Sequence, residues 1–368
     1  MGLLNDLEAN GQAVWLDFVD RTFLAEGGLK KLVDEDGLSG VTSNPSIFEK
    51  AMGQGDAYDE SLAAYDREHP DAATIDRYEA LAIEDIKAAA DTLRPVYDRL
   101  NGKDGYVSLE VSPYISDDTD ATISEAAKLW GLVDKPNLMI KIPGTPAGGP
   151  AIATSISSGI NINVTLLFGI EAYKTVALAY VAGLEKRLAD GQPIDRIASV
   201  ASFFVSRIDT AIDKKIDDLG SGEAKALRGK IAIANAKMAY QWYLDFLKTD
   251  RWRALAAKGA MPQRLLWAST GTKDPAYSDV LYLDTLIGAD TVNTVPPKTL
   301  DAFRDHGTVA ETLTADIDDA KHVLAEAGRL GLDLNGVTDR LVEEGVASFA
   351  KAFDALLASI AKKQPAAA

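Results

Sequence analysis

The chain has 368 residues, a formal net charge of −17, 47% hydrophobic residues and no cysteine. The acidic balance, with no basic stripe, excludes a nucleic-acid binder of the usual kind, and the missing cysteines exclude disulfides and thiolate metal sites. No apolar run approaches the ~18 residues a membrane span needs. The opening MGLLNDLEAN lacks a signal peptide's basic region and apolar stretch, and Asp6 stands where a myristoylation signal wants Ser or Thr, so a cytoplasmic protein is expected.

Short β-like runs recur along the whole chain. They fall at about residues 14–19 (VWLDFV), 39–43 (SGVTS), 106–111 (YVSLEV), 138–142 (LMIKI), 160–165 (ININVT), 197–202 (IASVAS), 264–269 (RLLWAS) and 289–294 (ADTVNT). The stretches between them read as helical. Residues 50–104 hold two helices, an unusually long connection. Residues 168–190 place Ile170, Tyr173, Ala177, Tyr180, Val181 and Leu184 on one stripe, which Gly191 and Pro193 end. Residues 223–248 read as one long helical stretch, and 313–330 and 337–362 as two amphipathic helices after the last strand. Gly144, Gly148 and Gly149 read as a strand-to-helix turn, since no phosphate-loop pattern surrounds them.

Eight strands alternating with helices predict an α/β fold, a closed (β/α)8 TIM barrel with inserted helices and extra C-terminal helices. No linker rich in Gly, Ser or Pro interrupts it. Residues 1–368 are therefore expected to form a single barrel domain, with 305–362 as appended helices and 363–368 as a frayed tail.

Successive strand residues point to opposite faces. One parity is apolar and should meet the helices: Val14, Leu16 and Phe18, then Val107, Leu109 and Val111, then Leu138, Ile140 and Ile142, then Ile160, Ile162 and Val164. The other parity carries Asp17, Ser108, Glu110, Lys141, Asn161, Asn163 and Thr165. A packed barrel interior should hold mainly branched apolar residues. A single such lysine would be read as an ion pair with Glu110 or Asp17. A polar set spread over four strands, lying toward their C-terminal ends, is instead read as a site in the barrel mouth.

A neutral amine there can attack a ketone or aldehyde and form a Schiff base. Lysine ordinarily titrates near about 10.4; desolvation lowers that value and nearby carboxylates raise it. Glu110 and Asp17 are placed for the proton transfers, and Thr165 could hold a water between acid and lysine. The chemistry needs no metal and no cofactor. The chain's three histidines, His69, His306 and His322, all lie off the strands, which argues against a histidine-ligated zinc site.

The segments WLDFVDR, GVTSNPSIF, VSLEVSP, LMIKIPGT, INVTLLF and ASFFVSRID resemble the transaldolase family in order and strand position, over nearly the whole chain. The resemblance implies that Lys141 is the Schiff-base lysine, Asp17 the acid/base of the carbon–carbon step, and Glu110 and Thr165 the managers of a catalytic water. It implies that Asn44 and Asn163 hold the donor's hydroxyl groups. Ser202, Phe204 and Arg207 would line the acceptor side, with Arg207 on the phosphate. Read without the family, Asn44-Pro45 could be a turn and Arg207 a surface ion pair.

The implied reaction moves a dihydroxyacetone unit from sedoheptulose 7-phosphate to glyceraldehyde 3-phosphate, in the non-oxidative pentose phosphate pathway. The implied partners are sugar phosphates, with no nucleic acid and no membrane; since the family includes dimers, a homodimer is expected. One departure stands out. Many members carry Ser-x-Arg after strand seven; here Ser269 matches, but Gly271 holds the arginine's place. Lys273 is the nearest cation and the candidate replacement, a point charge without arginine's fork. The alternatives are a lysine-dependent sugar-phosphate aldolase of the same barrel type and, further off, a catalytically idle barrel serving as a binding subunit.

Overall fold

The computed structural model describes residues 2–363. Its strands are β1 (Gln12–Leu16), β2 (Gly40–Val41), β3 (Tyr106–Glu110), β4 (Leu138–Pro143), β5 (Ile162–Leu167), β6 (Ser199–Phe204), β7 (Arg264–Ala268) and β8 (Thr291–Val295). Each pairs in parallel with the next, and β8 pairs with β1 to close the barrel in chain order. The eight expected runs all form strands. β2 is short, and its Gly40 lies against Trp15, where a Cβ would stand 2.4 Å from the indole.

The apolar parity behaves as its pattern predicts. Val107, Leu109, Leu138, Ile140, Ile142 and Val164 are all buried under the outer helices. Burying each such side chain contributes roughly 1.5–3 kcal/mol, so the register is strongly fixed: a one-residue slip would turn every one of them inward. That register sets Glu110 beside Lys141 and Lys141 beside Asn163 on neighbouring strands.

Four details differ from the sequence reading. Phe18 does not stand on β1 in line with Val14 and Leu16. β1 ends at Leu16 and the chain turns there, so Phe18 joins the lining of the mouth and packs edge-on against Phe23. Asn161 does not reach the mouth; it precedes β5, where its Nδ2 donates to the carbonyls of Pro136 and Leu138 and its Oδ1 accepts from the Ala198 N–H. The stretch 223–248 is two helices, Gly222–Lys225 and Ile231–Phe246, because Gly229 takes a left-handed φ of 67° between them. Of the expected frayed tail, Lys363 caps the last helix and donates to the Gly55 carbonyl; residues 364–368 lie outside the described residues.

Beyond the last barrel helix, Pro297–His306, two further helices form, Ile317–Arg329 and Leu334–Lys362. The second returns to the barrel mouth and packs along the helix Pro45–Gly53. Its buried positions Leu341, Gly345, Phe349, Phe353, Leu356 and Ile360 recur every three to four residues, one stripe of an amphipathic helix. Among the described residues, no helix is long and apolar enough to cross a membrane.

Candidate active site

Lys141 is 4% exposed at the C-terminal end of β4. Its Nζ donates to the Ser43 carbonyl at 2.9 Å and lies 3.4 Å from Glu110 Oε2. Burial pushes the Glu110 carboxyl above its usual range; Lys141 pulls it down and Asp17 adds a smaller upward push. Glu110 is thus a buried carboxyl shifted upward beside an amine, the setting in which proton carriers are found.

Asp17 follows β1 directly, its N–H continuing the ladder to the Val295 carbonyl. Its Oδ1 accepts from Thr42 Oγ1 at 2.7 Å, and Thr42 Oγ1 is 2.6 Å from Thr294 Oγ1. Thr42 has one hydroxyl proton. If it goes to Asp17, Thr294 must donate to Thr42, and the carboxylate gains a two-hydroxyl chain. Burial raises the Asp17 pKa, against the opposing pulls of Thr42, Lys141, Lys273 and Arg207.

Beneath this pair the barrel interior is polar. Asn163 Nδ2 donates to Ser108 Oγ at 3.0 Å, Ser202 Oγ donates to Asn163 Oδ1 at 2.7 Å, and Ser43 Oγ donates to the Ser108 carbonyl at 2.7 Å. Thr165 Oγ1 is buried with no hydrogen-bond partner among the described residues, an orphan that costs free energy unless something occupies it. The next residue, Leu166, has a left-handed φ of 59°, and the β5–β6 register breaks between Val164 and Leu167. Such a bulge re-aims side chains at a barrel rim.

Above lies a hollow of about 520 Å³. Asp17, Asn44, Lys141, Thr165, Ser202, Phe204, Arg207, Ser269 and Lys273 all line it. Glu110 and Asn163 do not; they flank Lys141 on the two neighbouring strands. Asn44 Oδ1 is committed to the Ile47 N–H, capping the helix Pro45–Gly53, which leaves its amide nitrogen for the hollow. Arg207 is half-buried over the Phe204 ring at 5.4 Å, with no carboxylate in ion-pair range among the described residues. Burial disfavours its charge while Asp17 and Glu344 support it. Ser269 Oγ is 2.9 Å from Ser206 Oγ.

Lys273 is exposed on the loop after β7. Its neighbours tie that loop down: Asp274 pairs with Arg228 at 2.7 Å, and Tyr277 donates to Asp213 at 2.6 Å. The hollow carries four cations, Lys50, Lys141, Arg207 and Lys273, against one lining carboxylate, Asp17. A protein of charge −17 thus concentrates positive charge where an anionic substrate would enter.

Several groups here escaped the sequence reading. Thr42 and Thr294 support Asp17, and the Ser43 carbonyl holds Lys141. Both Thr42 and Ser43 sit in the GVTSNP stretch, so their proximity to β1 and β3 was the available signal. Lys50 and Phe349 also line the hollow. Phe349 arrives from the distant C-terminal helix, and no local motif marks it.

Residues 14–360 match the family model described as transaldolase/fructose-6-phosphate aldolase. A transaldolase of Thiobacillus denitrificans is 50% identical over 360 residues, covering 98% of this chain and 100% of the relative. A transaldolase of Trichodesmium erythraeum is 47% identical over 370 residues, 98% and 97% of the two chains. A protein named transaldolase 2 in Nostoc punctiforme is 48% identical over 371 residues, again 98% and 97%.

Proposed function

The chain belongs to the transaldolase/fructose-6-phosphate aldolase family, a family of enzymes, and we propose that it moves a dihydroxyacetone unit from sedoheptulose 7-phosphate to glyceraldehyde 3-phosphate through a Schiff base on Lys141. The carrying observation is the placement of Lys141 Nζ at the floor of a cationic hollow, held by the Ser43 carbonyl and Glu110, with Asp17 in the same lining.

In this reading the Lys141 amine adds to the donor's ketone carbon, and the carbinolamine loses water to give a protonated imine. Glu110 and a water held at Thr165 Oγ1 carry those protons. Asp17 takes the proton from the hydroxyl beside the scissile bond. That carbon–carbon bond breaks, its electron pair moves toward the imine, and an aldose phosphate departs. The remaining enamine carbon attacks the acceptor's aldehyde, Asp17 returns its proton to the new hydroxyl, and water releases the ketose. Asn44, with the second amide hydrogen of Asn163, holds the donor's hydroxyls. Ser202, Phe204, Arg207, Ser269 and Lys273 receive the acceptor and its phosphate. Borohydride reduction during turnover should add a three-carbon unit to the intact mass; absence of any adduct would remove the Schiff base.

Lys273 carries a second expected result. A charged contact to phosphate contributes roughly 1.5–3 kcal/mol, so Lys273→Ala should lower kcat/KM for phosphorylated acceptors by about ten- to a hundredfold. Most of the loss should fall on KM, since phosphate is held alike in ground and transition states. An equal loss on phosphorylated and unphosphorylated acceptors, or no loss on either, takes Lys273 out of the phosphate site.

Exhaustive treatment with a chelator should leave the rate unchanged. Among the described residues, no group of three or more histidine, cysteine or carboxylate side chains is arranged to hold a metal ion. Loss of activity with rescue by a divalent cation would overturn the amine mechanism.

A further inference from the structure

The helix Leu334–Lys362 sends one side chain into the hollow. Phe349 is 5% exposed, lines the hollow, and stands with its ring centroid 6.0 Å from Lys141 Nζ. Its position is closely defined. One turn earlier, Gly345 sits against Leu166, where a Cβ would be 2.8 Å from the leucine side chain. Leu166 is the left-handed residue next to Thr165. One turn later, Phe353 packs edge-on against Tyr78 and Tyr114, and Tyr114 Oη donates to Asp354. The rest of the lining is largely polar, with hydroxyl groups from Thr42, Thr165, Ser202 and Thr294. Phe349 is an apolar face set over the reacting nitrogen.

We propose that Phe349 is a specificity-determining residue: it keeps water from the enamine on Lys141, so that the enamine waits for an aldehyde instead of decaying. The inference rests on the Schiff-base reading above. Two fates are open to the enamine. In transfer, its carbon forms a bond to the acceptor's carbonyl carbon, and the carbonyl oxygen takes a proton. In decay, the same carbon takes a proton from water. The resulting iminium adds hydroxide at carbon, the carbinolamine collapses, and free dihydroxyacetone leaves with the lysine amine restored. Neither fate needs a metal, an oxidant or a reductant. They differ in whether water reaches the carbon first, and excluding water from a reactive intermediate is a recognised use of an apolar cover. A ring face toward nitrogen also favours the cationic imine from which the enamine forms.

The test measures how each turnover ends. Phe349→Ala, supplied with ketose phosphate and acceptor, should raise the fraction of turnovers releasing free dihydroxyacetone by about tenfold, with a smaller fall in the transfer rate. In D2O, deuterium should appear on the released three-carbon product. Phe349→Leu, which keeps bulk without the ring, should lie between wild type and Phe349→Ala and serves as the test should the alanine variant not fold. Borohydride trapping of wild type and both variants separates the two readings. If the wild type traps no adduct, the Schiff base fails. If adducts form but the partition stays at the wild-type value, or transfer and release fall in proportion, Phe349 merely packs the helix and the proposal is overturned.

Discussion

Lys141→Arg is expected to abolish turnover although it keeps the positive charge. Arginine is charged at every accessible pH and cannot supply a free amine, so the covalent route is lost whole. Losing it should cost about a thousandfold or more in kcat. Lys141→Ala should be equally inactive. Both proteins should fold, for a reason visible in the site. Removing one member of a buried pair is costly when it strands a buried charge, but Glu110 is already pushed toward its neutral form by burial and can take up a proton in place of its lost partner. The Ser43 carbonyl loses a donor at 2.9 Å, an effect of about 1 kcal/mol. Thermal unfolding and a coupled transfer assay on the same purified samples check both halves. Turnover in Lys141→Arg above a few per cent of wild type would refute the Schiff-base role.

Much of this fold was legible because parallel strands covered by helices read as apolar runs, and the exceptions in those runs were conspicuous. Lys141 inside LMIKI and Glu110 inside YVSLEV are polar residues where a barrel interior wants branched carbon. Parity alone placed them side by side. What stayed hidden was anything decided between distant segments. Asn161 has the inward parity of Asn163, but β5 starts one residue after it, so its amide satisfies backbone groups at the far end of the barrel. Phe18 has the outward parity of Leu16, but the strand stops before it. The chain beyond 334 reads as an amphipathic helix, and nothing in its periodicity tells which surface it covers. That it roofs the mouth is visible only in contacts such as Gly345 against Leu166, between residues with no shared pattern. Thr42 and Thr294 likewise become partners only once β8 closes on β1.

Asp17→Asn should separate the carbon–carbon step from imine formation. Asp17 accepts from Thr42 at 2.7 Å and its carboxyl is raised by burial, so it can both take the hydroxyl proton and give it back. Asparagine keeps the size and can still accept from Thr42, but it cannot take a proton. The expected loss is about a hundred- to ten-thousandfold in kcat, the usual contribution of a positioned acid/base. In the proposed mechanism imine formation runs through Lys141, Glu110 and Thr165, which the substitution leaves in place. Borohydride should therefore still trap an adduct, and its identity should change: the wild type should accumulate the three-carbon enamine, whereas Asp17→Asn should accumulate the imine of the whole ketose phosphate. The pH sign follows from the same carboxyl. Protonated Asp17 cannot begin cleavage, so wild-type activity should fall as pH drops, with its midpoint above the ordinary range for aspartate because burial raises this group. A three-carbon adduct in Asp17→Asn would assign bond cleavage to another base. Loss of every adduct would place Asp17 in imine formation instead.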